Sequence, residues 1–188
     1  MRSIFLITVI LFSTLLTNAN NNDKKEVKEK VNWLTIEEAL AKNAEEPRKI
    51  IIDFYTDWCG WCKRMEKNTF NHPQIAKYIN KNFYAVKFDA EGSGAVMYKD
   101  LEYKATKSKR PGRIGGTHEF AFYLGNNKGN MGYPTIVFLD EQSDKITYVP
   151  SYLSPTDLDG ILKYIGDDHY KNTKWGIFEG TFKSRIKE

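Results

Sequence analysis

The chain contains only two cysteines, Cys59 and Cys62, and they lie three residues apart. They follow an apolar run, residues 50–55, that is typical of a buried strand. Residues three apart on a helix face the same way, at a Cα separation that a disulfide tolerates. Two cysteines at a helix start after a strand therefore predict reversible disulfide chemistry.

A structural staple and a metal site are the alternatives for this pair. A disulfide that closes so short a loop stabilises a fold less than one that closes a long loop. A structural zinc site needs four ligands, and the three histidines (His72, His118 and His169) show no paired spacing. We therefore expect no cofactor and no metal, with the Cys59–Cys62 disulfide itself as the redox-active group.

Residues 1–19 have the pattern of a secretory signal peptide. Arg2 supplies a positive charge, residues 4–16 are mostly apolar, and Ala19 closes a segment suited to cleavage. The apolar run is short for crossing a bilayer, which leaves an uncleaved anchor as the alternative. Residues 20–32 are polar and charged, as in a flexible leader. We therefore expect a periplasmic or secreted protein.

Length and charge narrow the functional classes further. Removal of the signal peptide would leave 169 of the 188 residues, enough for one domain with a sizeable core. The formal net charge of the chain is only +4, which favours neither nucleic acid nor an acidic ligand. We expect a monomer that binds no nucleic acid.

The predicted secondary structure alternates between helices and strands. A capping box of Thr35 and Glu38 opens the first helix, and Ser154 followed by Pro155 opens the last. Further helices are predicted over residues 59–69 and 74–80, and strands over 50–55, 83–89, 135–139 and 145–149. This order predicts an α/β fold, with a central sheet and helices on both faces.

Three segments resemble the thioredoxin-fold thiol–disulfide oxidoreductases. DFYTDWCGWCK at residues 53–63 resembles the active-site segment, and VKFD at 86–89 resembles the next strand, with a lysine near a buried acid. GYPT at 132–135 resembles the loop whose proline is cis in that family. The resemblance covers residues 33–167. Within the family, the chain is most similar to exported bacterial proteins, including the periplasmic domain of thiol–disulfide interchange proteins. The resemblance implies a thioredoxin fold with a central mixed sheet.

The resemblance assigns catalytic roles. Cys59, at the helix N-terminus, is the attacking nucleophile, because unpaired N–H groups there favour a thiolate. Cys62, expected to be more buried, resolves the mixed disulfide. Asp53 relays a proton to or from Cys62 through water, although an exposed acid at the strand end is the alternative. Lys87 holds Asp53 ionised or points to solvent.

The residues around the cysteines have supporting roles by the same resemblance. Trp58 packs beside the nucleophile. Gly60 and Trp61 separate the cysteines, and Trp61 stands where proline or histidine is commoner in the family. An indole cannot stabilise a thiolate as a histidine can, which favours a reducing or mid-range potential.

Pro134, with Tyr133 and Thr135, resembles the substrate-binding loop of the family. Its cis-proline would lie against the active site and leave the adjoining backbone free to pair with an extended client peptide. An ordinary trans proline that starts a strand is the alternative.

Two segments depart from the family pattern. An insertion over about residues 90–116 contains, at 104–116, five positive charges and no acid. A solvated loop is the simpler interpretation, because no aromatic or phosphate-binding pattern accompanies the charge, and a basic lip that steers acidic clients is the alternative. Residues 168–188 form a C-terminal extension whose aromatic spacing predicts packing onto the domain.

We interpret the chain as an exported protein-disulfide reductase that acts on client proteins with disulfides or thiols. A membrane thiol-reductant carrier is the expected electron donor. Oxidation or isomerisation of disulfides, a non-catalytic peptide-binding or chaperone-like module, and metal handling remain as alternatives.

Overall fold

The computed structural model describes residues 29–108, 115–126 and 128–186. The predicted signal peptide at 1–19 lies outside the described residues, as do most of the predicted leader and residues 109–114 of the insertion. Within the described part of the chain, no helix is long and apolar enough to cross a membrane.

Five strands form one mixed sheet: β1 (Trp33–Leu34), β2 (Ile50–Tyr55), β3 (Tyr84–Asp89), β6 (Thr135–Leu139) and β7 (Lys145–Val149). Their order in the sheet is β1-β3-β2-β6-β7. The strands β1, β2 and β3 run parallel, while β6 pairs antiparallel with both β2 and β7. The predicted α/β fold with a central mixed sheet is confirmed, and the cysteine pair follows its middle strand.

Six α-helices and two shorter helical turns surround the sheet in the described residues. The helix that begins at Ile36 has the predicted capping box of Thr35 and Glu38. Ser154 caps the helix that begins at Pro155, as predicted, and Asp157 completes a capping box that was not predicted. The predicted helix over 59–69 is shorter, because its second half is a π-helical turn, Glu66–Phe70. The helices are α1 (Ile36–Glu45), α2 (Gly60–Met65), α3 (Pro73–Asn82), α4 (Glu119–Gly125), α5 (Pro155–Gly166) and α6 (Trp175–Thr181), with a 3-10 turn at His169–Lys171.

The sheet separates two apolar cores. Successive side chains of a strand point to opposite faces, so Ile50 and Ile52 of β2 join the core under α1 and α4, whereas Ile51 joins the core under α3 and α5. Asp53 lies two residues after Ile51, so its side chain points to the same face of the sheet, where Met65 of α2 also packs. The strand therefore aims a carboxyl group into the apolar core beneath the cysteine-bearing helix.

The insertion contains a hairpin that the sequence analysis does not predict. Strands β4 (Ala95–Tyr98) and β5 (Leu101–Lys104) pair antiparallel. The rings of Tyr98 and Tyr103 lie 5.3 and 5.9 Å from the ring of Phe120 in α4. Aromatic burial therefore fixes this part of the insertion to the domain.

Both ends of the described chain pack onto the domain. Val31 is buried in the core, so the packed part of the chain begins two residues before the predicted start at Trp33. In the C-terminal extension, Trp175 lies edge-on to Tyr164 of α5 with ring centroids 5.1 Å apart, and Phe178 is buried. The extension therefore enlarges the core beside α5.

Candidate active site

The cysteine pair lies at the start of α2. Cys59 is the N-cap residue, and its Sγ accepts a hydrogen bond from the backbone N–H of Cys62 at 3.0 Å. The two sulfurs form a disulfide, with Cα atoms 5.3 Å apart. The strand-to-helix turn thus places one sulfur where the unpaired N–H groups of the first turn favour negative charge.

The two cysteines are almost equally buried, which corrects the prediction that Cys62 is the more buried one. Cys59 is 4 % exposed and Cys62 is 6 % exposed. The capping position explains the difference, because the side chain of Cys59 folds back over the first turn instead of pointing into solvent. In the disulfide form, the distinction between the cysteines is therefore one of position in the helix.

Asp53 is buried beneath the pair, which excludes the alternative of an exposed acid. Its exposed fraction is 2 %, and its Oδ1 has no hydrogen-bond partner among the described residues. Burial raises the pKa of Asp53 from 3.8 to about 7, although the charge of Lys87 lowers it and that of Glu66 raises it further. Asp53 is therefore able to exchange a proton near neutral pH.

Lys87 is shared between two carboxylates. Its Nζ lies 3.7 Å from Oδ2 of Asp53 and forms a closer ion pair with Glu66. The register of β2 on β3 places Lys87 opposite Asp53. Lys87 therefore points toward the buried acid and not to solvent, but its charge does not overcome the effect of burial on Asp53.

Glu66 belongs to this site, and the sequence analysis does not identify it. It lies four residues after Cys62 on the same helical segment, a spacing that brings side chains together and could have revealed it. A pocket of about 260 Å³ is lined by Thr56, Cys62, Glu66 and Lys87, among others. This pocket connects the second cysteine with the lysine that contacts Asp53.

Pro134 directly precedes Thr135, the first residue of β6. The Tyr133–Pro134 peptide bond is cis, and Pro134 is buried. Thr135 pairs with Phe54 of β2 and donates a side-chain hydrogen bond to the carbonyl of Gly132 at 2.8 Å. This loop is therefore fixed to the strand that leads into the cysteine pair.

Trp58 and Trp61 lie on either side of the disulfide with about half of each side chain exposed. Trp58 donates from Nε1 to Glu91 at 2.8 Å, and its ring lies 5.9 Å from that of Tyr133. The ring of Trp61 lies 5.4 Å from that of Tyr152. Both indoles thus border the surface that a substrate would approach.

Gly60 and Trp61, the two residues between the cysteines, are exposed to solvent. A Cβ atom placed on Gly60 would meet nothing within 4 Å, so packing does not require a glycine there. The guanidinium of Arg64 lies over the ring of Trp61 at 5.3 Å.

Among the described residues, no group of three or more histidine, cysteine and acidic side chains could hold a metal ion.

Comparison with known proteins assigns the family. A family model described as a thioredoxin-like domain matches residues 36–166, more than half of the chain. The chain belongs to the thioredoxin-like family. The match includes the disulfide, the buried acid and the loop of Pro134, so the site is part of the thioredoxin-like domain.

Curated relatives of this thioredoxin-like chain are much longer proteins. The thiol:disulfide interchange protein DsbD of Photorhabdus laumondii is 41 % identical over 115 residues, 61 % of this chain and 15 % of that protein. An uncharacterised protein of Caenorhabditis elegans, B0495.5, is 26 % identical over 156 residues, 73 % of this chain and 21 % of that protein. The chain therefore spans about a fifth or less of these relatives.

Solved structures share the fold. DsbH oxidoreductase has a TM-score of 0.50 and 15 % identity, with 77 % of this chain and 87 % of that chain covered. A thioredoxin from Thermus thermophilus has a TM-score of 0.51 and 15 % identity, with 72 % and 87 % covered. At this identity the likeness shows the thioredoxin fold alone.

Proposed function

We propose that this chain is an exported thiol–disulfide oxidoreductase that reduces disulfide bonds of client proteins. The observation that carries the proposal is the Cys59–Cys62 disulfide at the N-terminus of α2, beside a pocket that reaches Lys87, the lysine next to Asp53. A structural staple would need neither a helix N-terminus nor a buried acid whose pKa lies near 7.

The first step is attack by the reduced protein on the client. The thiolate of Cys59 forms a bond to one sulfur of the client disulfide, whose S–S bond breaks. The other client sulfur leaves as a thiolate and takes a proton from solvent. The N–H of Cys62, which points at Sγ of Cys59 in the structure, stabilises the attacking charge.

The second step resolves the mixed disulfide. Cys62 transfers its proton to the Asp53 carboxylate through water, and its sulfur bonds to Sγ of Cys59. The bond between Cys59 and the client breaks, so the second client thiolate leaves. Two electrons have then passed from the dithiol to the client, and a membrane dithiol carrier would restore the reduced pair.

The surroundings of the nucleophile favour the reducing direction. A strongly stabilised thiolate makes a dithiol a poor electron donor. Within the described part of the chain, no lysine, arginine or histidine side chain is bonded to Sγ of Cys59, and Trp61 supplies no charge. The thiolate then depends on the helix terminus alone, which favours a moderate potential.

Export and the choice of partners rest on the sequence. Residues 1–19 have the signal-peptide pattern, and the DsbD relatives are named for thiol:disulfide interchange. We therefore place the reaction in the periplasm or outside the cell, with protein clients and a membrane thiol-reductant carrier as donor. A monomer suffices, because all the proposed catalytic side chains come from one chain.

Reduction of insulin disulfides tests the proposal. The wild-type protein should turn over insulin with dithiothreitol as donor, and Cys59→Ser should abolish turnover. Cys62→Ser should accumulate a mixed disulfide with the client. Turnover that survives Cys59→Ser, or no turnover in the wild type, would indicate a peptide-binding module instead. Rapid oxidation of reduced clients, without reduction of insulin, would indicate a disulfide oxidase.

A further inference from the structure

The insertion between β3 and α4 is built against one flank of the disulfide. After the hairpin, its returning arm comprises the described residues 105–108 and 115–117. Hydrogen bonds fix this arm: Ala105 N–H donates to Gly94 O at 3.2 Å, and Gly116 N–H donates to Thr106 O at 2.8 Å. The hydroxyl of Thr106 donates to the carbonyl of Thr117 at 2.8 Å. The arm therefore has a defined position.

Two glycines allow the arm to lie close to the active-site flank. A Cβ atom on Gly115 would lie 2.5 Å from the carbonyl oxygen of Glu91, and one on Gly116 would lie 2.6 Å from that of Lys107. Real Cβ atoms do not approach backbone oxygens so closely. Glu91 is in turn the residue that accepts the hydrogen bond of Trp58. The arm is therefore in contact with the residue that holds the indole beside Cys59.

A groove of about 520 Å³ lies between this arm and the loop that precedes Pro134. Trp58 and Tyr133 line it, and they directly precede Cys59 and Pro134 in the chain. The arm contributes Thr106, Lys107, Ser108, Gly115, Gly116 and Thr117. The volume falls within the range of ligand-binding pockets, about 300–1,000 Å³.

The lining has the mixed chemistry of a peptide-binding surface. Phe122 and Met131 add apolar area to that of the two aromatic residues already named, and glycine backbones expose polar groups. Lys107 is exposed, and no ion pair joins it to a carboxylate among the described residues. Glu91 also lines the groove, where it accepts the hydrogen bond of Trp58. An acidic side chain placed beside Lys107 would therefore meet a cation that is not ion-paired within the described part of the chain.

We propose that the arm forms the second wall of a client-binding groove, which holds the polypeptide segment next to the client's reactive cysteine. Lys107 selects an acidic side chain on that segment. The inference rests on the proposed function, because the segment lies in the groove while its cysteine is bonded to Cys59. The occupant is an extended polypeptide, since a small disulfide needs only the sulfur of Cys59 and would leave the groove empty.

Matched substrates test the proposal. A set of disulfide-linked peptides carries a single glutamate at each of three positions on either side of the cysteine, and a second set carries lysine instead. The wild type should reduce the best glutamate peptide about fivefold faster, in kcat/KM, than its lysine counterpart. Lys107→Glu should reverse this preference, and raised salt should weaken it. Lys42→Glu, on the exposed face of α1, changes the net charge equally and should leave the preference intact.

Hydroxyethyl disulfide, which is too small to occupy the groove, provides the second arm of the test. Its reduction should be unchanged in Lys107→Glu and in Phe122→Ala, whereas Phe122→Ala should raise KM for the peptides. Ile177→Ala removes an apolar side chain of α6 that is even more exposed than Phe122, and it should change the reduction of neither substrate. Equal rates for glutamate and lysine peptides at every position would contradict the proposed groove. So would variants that lose as much activity on hydroxyethyl disulfide as on the peptides.

A binding measurement separates this proposal from the proposed function. The variant with both Cys59→Ser and Cys62→Ser cannot exchange disulfides, but it should bind the preferred glutamate peptide, with serine in place of its cysteine, about fivefold more tightly than the lysine peptide. Preferential binding with no turnover in the wild type would retain the groove and contradict the oxidoreductase. Turnover in the wild type, together with equal binding of the glutamate and lysine peptides, would retain the oxidoreductase and contradict the groove.

Discussion

Two lysines of this domain each lie between two carboxylates, with opposite consequences. Lys49 contacts Glu141 at 2.6 Å and Asp168 at 2.9 Å. Burial lowers the pKa of Lys49, but the hydrogen bonds and charges of its two partners outweigh that effect and raise it. Burial likewise raises the pKa of Glu141 and of Asp168, and contact with Lys49 more than reverses it. All three groups are therefore held in their charged forms.

The cluster at the active site has the same ingredients in another arrangement. Lys87 is ion-paired with Glu66 and lies 3.7 Å from Asp53, too far for a hydrogen bond. Asp53 is the buried member of this cluster, whereas Lys49 is the buried member of the other. Burial of an incompletely paired acid dominates, and it raises the pKa of Asp53 to about 7.

The comparison shows what distinguishes a structural ion cluster from a reactive one. Residue types and spacing in the chain do not separate them, because each is a lysine with two acids. The two clusters differ in the distance between the buried group and its counterion, which is 2.6–2.9 Å for Lys49 and 3.7 Å for Asp53. Around Lys49 short contacts fasten β2 to the β6–β7 turn and the C-terminal extension, whereas the long contact of Asp53 leaves a proton free to move.

The largest expected effect is on stability at Asp53. Its folded pKa exceeds its unfolded value of 3.8, so the folded state binds the proton more tightly, and stability falls as pH rises from about 4 to about 7. A shift of this size corresponds to a loss on the order of 4 kcal/mol. Asp53→Asn should remove this loss and be the more stable protein at pH 8, as measured by urea unfolding of the oxidised form. Asp57→Asn, at an exposed position, should keep the wild-type pH dependence, and a wild-type curve without the decline would contradict the buried acid.

The next effect concerns the rate of resolution. If Asp53 accepts the proton of Cys62, release of a preformed mixed disulfide should accelerate as pH rises through about 7. Asp53→Asn should slow release about a hundredfold and remove this inflection. Stopped-flow measurement with a fluorescent client checks both results. A variant with the same rate and the same pH profile as the wild type would exclude the proton relay.

The structural cluster should show the reverse pattern. Lys49→Met leaves Glu141 and Asp168 without their shared cation, and because both carboxylates reach solvent the loss should be about 2 kcal/mol of unfolding free energy at pH 7. The lowered pKa values of the two acids mean that this contribution fades as pH falls through their folded values. The rate of disulfide exchange should not change. A slower exchange at unchanged stability would contradict the division between the clusters.

The smallest effect comes from Glu66. Its charge raises the pKa of Asp53, so Glu66→Gln should move the midpoint of the Asp53 titration downward. Lys87→Met removes a charge that lowers the pKa and should move the midpoint upward. Carboxyl resonances followed by NMR against pH report both shifts directly. Movement of both midpoints in one direction would show that the two charges do not oppose each other at Asp53.

Most of the framework could be predicted from the sequence because it depends on local signals. The runs at residues 135–139 and 145–149 became strands with those bounds, and the capping box of Thr35 and the N-cap Ser154 open their helices as expected. Apolar periodicity and capping chemistry act within a few residues. Such features do not require knowledge of distant contacts.

The features that sequence analysis missed depend on contacts between distant segments. The β4–β5 hairpin is fixed by the rings of Tyr98 and Tyr103 against Phe120 of α4, a contact with a separate helix. Glu66 becomes part of the site only because β3 brings Lys87 to it. The similar burial of both cysteines follows from the side-chain rotation at a helix cap, which spacing alone does not predict.

The central claim is that Cys59 and Cys62 carry electrons to clients, and their equilibrium reduction potential tests it most directly. The pair should be equilibrated with glutathione buffers of defined ratio, and the thiol content measured after acid quenching. A reductase should give a value below about −200 mV, in the direction of thioredoxin. A value near or above about −180 mV, the range of protein disulfide isomerase, would contradict the reducing direction.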